Sequence, residues 1–221
     1  MKKDDNKREI YFKNIFGNDF DFEAHKQTKN FPNRDRVKNA LDKAWEVRDF
    51  EIDLYWKRAT YFWLFIASIF AGFFLVLGDT DLEQNLNFIK LSTDNIVLLI
   101  AALGVIFSLA WVCVNKGSKF WQENWEEHIY NLEIEYYGYL YSTPSPKLFN
   151  KTTFSVSKVN LIISYFVLAV WGLIFLSCLY MTNIFKLVKV INFSTIFSLS
   201  ILVLVLLFII LLFTYARTVH K

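Results

Sequence analysis

Four uncharged, apolar runs of at least 20 residues constrain the fold of this chain more than any other feature. They cover residues 59–78, 95–114, 159–181 and 193–216. A helix of 20 residues rises about 30 Å, which is the thickness of the hydrocarbon core of a bilayer. Because a soluble domain of 221 residues rarely contains such runs, the pattern predicts an all-α membrane protein with four transmembrane helices.

Basic residues are distributed unevenly between these runs. Segments 1–58, 115–158 and 217–221 hold 14, 5 and 2 of the 24 Lys and Arg residues, whereas segments 79–94 and 182–192 hold 1 and 2. Because cytoplasmic segments of membrane proteins are enriched in Lys and Arg, we expect both termini and the middle segment to lie in the cytoplasm. The net charge of +3 is too small to indicate a nucleic-acid partner.

The first two spans are each predicted to continue as a cytoplasmic helix, over residues 35–58 and 115–141. No Pro or Gly interrupts the first of them before Gly72, so extension and span form one continuous helix. Each extension carries apolar residues on two faces, which indicates contacts with its own subunit and with a neighbour. Similar lengths and opposite directions favour an antiparallel hairpin, and the prolines within 142–146 are expected to end its second helix.

Residues 1–34 form an N-terminal arm with scattered aromatic side chains, which we expect to lie against the cytoplasmic helices. Asn33 or Asp35 is the expected N-cap of the helix that follows, and Ser155 or Ser157 that of the third span. The first residues lack the apolar core of a signal peptide, so no cleavage is expected.

Two sets of residues are assigned roles in the membrane from their chemistry. Aromatic rings and basic side chains at the first membrane entry are typical interface anchors, and here they are Tyr55, Trp56, Lys57, Arg58, Tyr61 and Trp63. Small residues let helices approach closely, and in the first two spans they include Ala67, Ser68, Ala71, Gly72, Gly104 and Ser108. We therefore expect these two spans to pack against each other inside the protein, with the fourth span outside.

A charged cluster in the cytoplasmic helices is the main candidate for chemistry. Arg48 falls on an otherwise apolar stripe and therefore needs a carboxylate partner, which Glu123, Glu126 or Glu127 can supply. His128 lies beside two of these residues, and an ordinary histidine titrates at about pH 6.5. The Arg48 ion pair is either structural or part of a gating or ligand site, and His128 is either a pH sensor or a packed, hydrogen-bonded residue.

Other chemistry has no visible carrier in the sequence. The four runs contain no Asp, Glu, Lys, Arg or His, which argues against a proton-coupled or ion-coupled carrier. No G-x-S-x-G, Walker A or H-E-x-x-H motif occurs, so we expect neither an enzyme nor a cofactor or metal. Cys113 and Cys178 are expected to be ordinary buried residues. A pore of apolar and small side chains is still compatible with the runs, since such constrictions gate by dewetting.

Three stretches of the chain resemble the RipA family of bacterial cytoplasmic-membrane proteins. They are D-K-A-W-E-V-R-D-F-E-I-D-L-Y-W-K-R-A-T-Y-F-W-L-F-I-A at 42–67, N-K-G-S-K-F-W-Q-E-N-W-E-E-H-I at 115–129, and F-S-V-S-K-V-N at 154–160. The resemblance implies an octameric ring in the bacterial inner membrane, with cytoplasmic helices and, as one option, a central pore.

Three functional hypotheses follow from these observations. The leading one is a homo-oligomeric, octameric membrane complex that forms or gates a conduit under the control of its cytoplasmic helices, in a stress or defence response. The alternative is a membrane scaffold that recruits a cytoplasmic protein partner, with lipid filling its centre. A third is a membrane enzyme that acts on lipid. Membrane lipids are expected partners in each of them.

Overall fold

The computed structural model describes residues 2–27, 34–78, 93–141, 143, 155–181 and 193–215. These residues contain helices and no strands, which confirms the prediction of an all-helical fold. In chain order the helices are α1 (Lys2–Phe16), α2 (Phe22–Gln27), α3 (Arg34–Gly78), α4 (Thr93–Tyr137), α5 (Val156–Met181) and α6 (Phe193–Tyr215).

Helices α3 and α4 each contain 45 residues, so each rises about 67 Å at 1.5 Å per residue. The predicted boundaries between cytoplasmic extension and span, at 58/59 and 114/115, fall inside these two helices. Neither helix is interrupted there, since neither contains a proline. Among the described residues, α3, α4 and α5 are long and apolar enough to cross a membrane. Helix α6 contains a shorter apolar stretch, Ser198–Phe208.

Two glycines with positive φ lie at the ends of helices α1 and α4. Gly17 has a φ of 106°, and its N–H donates to the carbonyl of Lys13 at 3.0 Å, as in a left-handed C-terminal cap of α1. Gly138, with a φ of 65°, directly follows the last residue of α4. The predicted helix end at 141 was therefore wrong by four residues, because the left-handed conformation at Gly138 stops the helix before the prolines do.

The other helix ends match local capping chemistry. The Oδ1 atom of Asp21 accepts from the N–H of Ala24 at 2.9 Å and so caps α2. The carbonyl of Ser155 accepts from the N–H of Val159 at 3.0 Å, which makes Ser155 rather than Ser157 the N-cap of α5. Helix α3 begins at Arg34, which puts Asp35 in its first turn. The predicted cap Asn33, the segments 79–92 and 182–192, and most of the stop signal at 142–146 lie outside the described residues.

The chain divides into two compact units. Unit 1 comprises Met1–Tyr55 and Ser118–Thr153, and unit 2 comprises Trp56–Gly117 and Phe154–Lys221. Helices α3 and α4 therefore contribute residues to both units.

Candidate functional site

The core of unit 1 is built where the N-terminal arm covers α3 and α4. Its buried side chains come from all three regions: Phe12, Phe16, Phe20 and Phe22 from the arm, Val37, Leu41 and Ala44 from α3, and Ile129 and Leu132 from α4. Phe12 is completely buried, and its ring lies 5.2–5.7 Å from those of the three other phenylalanines. One apolar stripe of each long helix is thereby covered by the arm.

Polar contacts fix the arm on α4. The Nη2 atom of Arg8 lies 3.0 Å from Oε1 of Glu135 and donates to the carbonyl of Asn131 at 3.3 Å. The hydroxyl of Tyr11 lies 2.8 Å from Nδ1 of His128. Burial raises the pKa of Tyr11 above its ordinary value, with a further rise from Glu127. The tyrosine therefore keeps its proton, and its hydroxyl, which also lies 3.5 Å from the carbonyl oxygen of His128, bonds to Nδ1 as donor or acceptor according to the histidine tautomer.

The neutral form of His128 is favoured in this contact. Burial lowers the pKa of His128, and the nearby charge of Glu127 opposes that shift only in part. In the neutral ring one nitrogen carries the proton and the other accepts. His128 thus offers a hydrogen bond to Tyr11 and a titratable ring whose neutral form is favoured by burial.

The structure gives each residue of the predicted charged cluster a different partner. The guanidinium of Arg48 has Nη1 3.0 Å from Oδ1 of Asp49 and Nη2 3.9 Å from Oε1 of Glu126. Glu123 pairs with Lys119 at 3.6 Å. Glu127 accepts from the side-chain amide of Asn131 at 3.1 Å. Arg48, Glu123, Glu127 and His128 are therefore not joined in one contact network.

A cleft of about 490 Å³ nevertheless collects most of these groups on the side of α4 that carries Glu126. Three aromatic side chains, four carboxylates, one aliphatic residue and one arginine line it: Trp45, Tyr130 and Tyr141, Glu123, Glu126, Glu127 and Glu133, Ile129, and Arg48. The guanidinium carbon of Arg48 lies 5.5 Å from the centroid of the Trp45 ring. The cleft combines charged and aromatic groups in one concave surface of unit 1, which makes it a candidate binding site.

Helix α4 is the central element of unit 2. The ring of Trp171 from α5 fills the space in front of Gly104, where a Cβ atom would fall inside the indole. Nδ2 of Asn160 in α5 donates to Oδ1 of Asn115 at 3.3 Å, and the hydroxyl of Ser198 in α6 donates to Oδ1 of Asn95 at 3.3 Å. Such polar contacts hold helices together where lipid offers no hydrophobic driving force.

Within one chain, most of the predicted small residues of α3 lie at its surface. Ala67, Ser68 and Ala71 are exposed, and Gly72 has open space where a Cβ atom would be. Helices α3 and α4 meet instead through aromatic rings, with Trp63 and Trp111 at 5.2 Å and a second pair, Phe65 and Phe107, at 5.3 Å. The two helices thus pack against each other through larger side chains, and Trp171 occupies the notch at Gly104.

Ser108 and the interface residues were also predicted from sequence. Ser108 is fully buried in α4, as expected of a packing residue. Trp56, Lys57, Tyr61 and Trp63 are exposed and Arg58 is half-buried. Tyr55 is only 2% exposed, so it packs inside the protein rather than at a surface where it could anchor in headgroups.

Several residues that build these sites were missed by sequence reasoning. Tyr11 and Trp171 contact residues on other helices, and Glu133 accepts from the backbone of Tyr141 beyond the end of its own helix. No local sequence pattern identifies such partners. The pair Asn115 and Asn160 carried a usable signal, since each amide lies at or just outside an otherwise apolar run. Among the described residues, no group of three His, Cys, Asp or Glu side chains is arranged to hold a metal ion.

The fold and the exposed apolar surface of unit 2 define a helical membrane protein. Residues 38–181 match the model of the octameric membrane protein family (8xMP), and the chain belongs to that family. This match confirms the family resemblance predicted from the sequence, because a likeness to RipA proteins is consistent with this family. The matched region begins within α3 and therefore leaves out the N-terminal arm. No curated protein and no solved structure matches the chain.

Proposed function

We propose that eight copies of this chain assemble in the bacterial cytoplasmic membrane, where each copy crosses the bilayer four times. The spans are 59–78, 95–114, 159–181 and 193–216, with both termini and the middle segment in the cytoplasm. The octameric family supports the assembly, and three long apolar helices support the spans. The distribution of Lys and Arg supports the orientation.

The octamer forms or gates a conduit, in a stress or defence response. The observation that carries this proposal is the continuity of α3 and α4, each of which runs from unit 1 into unit 2 as one helix. Because the backbone of each helix continues without a break between the units, we expect a change at the arm or at the charged cleft to affect the spans. The conduit is lined by uncharged side chains, and neither catalysis nor a cofactor is part of the mechanism.

Flux through the purified octamer in liposomes tests the proposal. We expect potassium or dye efflux that changes when the arm is loosened by Phe12→Ala and stays at the wild-type level in the control Phe50→Ala, whose side chain is exposed. Sealed liposomes for the wild type and for both variants, across pH and ionic strength, would rule out a conduit.

A scaffold that recruits a cytoplasmic protein is the second candidate, and one observation favours it. Unit 1 exposes a set of large aromatic side chains on the faces of α3 and α4 that the arm leaves open: Phe50, Phe120, Trp121, Tyr130 and Tyr137. Exposed apolar patches mark protein contact sites. Purification from native membranes separates the candidates, since a scaffold brings down a stoichiometric second protein that Phe50→Ala releases.

A further inference from the structure

The cleft of unit 1 has an excess of negative charge that its own residues do not neutralise. Of its four carboxylates, Glu123 pairs with Lys119, and Glu126 lies 3.9 Å from Arg48. Arg48 is shared with Asp49, at the shorter distance of 3.0 Å. Among the described residues, neither Glu127 nor Glu133 has a basic side chain within the 4.0 Å of an ion pair.

Glu133 is the group that most requires a ligand. Its side chain belongs to the lining of the cleft, yet the residue is only 1% exposed. One carboxylate oxygen accepts from the N–H of Tyr141 at 3.3 Å, while the other, Oε1, is buried and has no donor among the described residues. A buried carboxylate without a counterion is unfavourable, so a bound cation at this point would satisfy it.

The aromatic lining decides what kind of cation fits. Trp45 and Tyr141 have ring centroids 3.8 Å apart at one side of the cleft, and Trp45 already carries the guanidinium of Arg48 over its ring. Aromatic faces attract organic ammonium groups, whereas Mg²⁺ takes oxygen ligands and keeps several waters, so an aromatic lining offers it no ligand. The described residues also offer no three-ligand metal cluster.

The size and spacing of the cleft indicate more than one ammonium group. Its volume of about 490 Å³ falls within the range of small-molecule sites. Glu126 and Glu133 lie two helical turns apart on α4, about 10 Å along the axis. This separation is comparable to that between the terminal nitrogens of a linear triamine with short methylene linkers.

We propose that the cleft of unit 1 binds an aliphatic polyammonium ion, with one ammonium between Glu133 and the rings of Trp45 and Tyr141 and another beside Glu126 and Glu127. The ligand neutralises the two carboxylates that lack a basic partner. It also links α3 to α4, since both helices contribute to the lining. This site is independent of whether the octamer conducts.

Titration of the purified, detergent-solubilised octamer with spermidine tests the proposal by calorimetry. We expect saturable binding of one spermidine per subunit, weakened at least tenfold by Glu133→Gln. The matched control is Glu46→Gln, an exposed glutamate of α3 that pairs with Lys43 and does not line the cleft. Equal ionic strength of Mg²⁺ should leave spermidine binding in place.

Glu127→Gln provides a second variant in case Glu133→Gln does not fold, since Glu127 is exposed and glutamine preserves the acceptor for Asn131. It should weaken spermidine binding several-fold while the octamer keeps its size. The proposal is overturned if spermidine does not bind saturably, if both cleft variants bind like wild type, or if Mg²⁺ displaces it at equal ionic strength. It is also overturned if Glu133→Gln dissociates an octamer that never bound spermidine, because the carboxylate then serves a neighbouring subunit.

Discussion

Units 1 and 2 differ in the side chains that their surfaces carry. Unit 1 buries phenylalanines and aliphatic residues, while charged residues such as Asp42, Lys43 and Glu46 on α3 are exposed. Unit 2 exposes large apolar side chains such as Leu75 and Phe166 and buries polar ones.

Six of the described polar residues are buried in unit 2, beneath its exposed apolar side chains. They are Asn95, Ser108, Asn115, Asn160, Ser164 and Ser198. In water, burying these groups while exposing leucine and phenylalanine would be unfavourable, but in lipid the exposed apolar side chains cost nothing and the buried polar groups join helices. The same two helices, α3 and α4, thus have side chains suited to two solvents along their length.

The largest effect is expected in the aromatic core of unit 1. Phe12→Ala removes a fully buried ring and should weaken docking of the arm by about 3–4 kcal/mol. Hydrogen–deuterium exchange of residues 2–16 reports the loss directly. Phe50→Ala, at an exposed site, should leave this exchange unchanged, and equal protection of the arm in both variants would show that Phe12 is not its anchor.

Close packing in unit 2 gives the next largest effect. Gly104→Ala places a methyl group inside the indole of Trp171 and should destabilise the unit by about 1–3 kcal/mol. Unfolding in mixed micelles measures this change. Gly172→Ala on α5 is the control, because a Cβ atom added there would have no neighbouring atom within 4 Å; a similar loss in both would contradict the contact.

The buried amide pair of Asn115 and Asn160 provides a test of polar contacts between the helices of unit 2. Asn160→Leu leaves Asn115 without its partner and should cost about 1 kcal/mol. The double variant Asn115→Leu/Asn160→Leu should recover most of that loss, since two apolar groups replace the pair without leaving an unsatisfied atom. A double-mutant cycle with no coupling energy would show that the two amides do not interact.

The smallest effect is a pH dependence confined to unit 1. Burial lowers the pKa of both His25 and His128, so the released arm and its α4 site bind more protons than the docked form. Docking is therefore complete above an ordinary histidine pKa of about 6.5 and weakens as the pH falls below it. Proteolysis of the arm should accelerate at low pH, and His25→Gln/His128→Gln should flatten the profile; an unchanged profile would remove the histidines from arm docking.

Sequence patterns predicted the parts of the fold that depend on one segment at a time. Uncharged runs predicted the long apolar helices, and the absence of proline predicted that α3 runs without a break. The end of α4 was missed because Gly138 acts through its backbone conformation, while the prolines nearby gave the more familiar signal. The four-span topology and the cytoplasmic hairpin stay predictions.

The candidate sites depend on contacts that sequence patterns do not encode. The hydrogen bond between Tyr11 and His128 joins residues 117 positions apart, and Arg48 reaches Glu126 only through the packing of α3 on α4. Tyr55 has the composition of an interface anchor and yet is buried, since composition does not specify the direction of a side chain. Self-assembly followed from the resemblance, and the family confirms it.

Spin labels on a variant without Cys113 and Cys178 test the central claim, that units 1 and 2 lie in different solvents, most directly. Labels at positions 75 and 166 should collide with oxygen in preference to a water-soluble paramagnet when the octamer is in bilayers. Labels at positions 50 and 137 should show the reverse preference. If the water-soluble paramagnet reaches positions 75 and 166 as readily as positions 50 and 137, the assignment of unit 2 to lipid is contradicted.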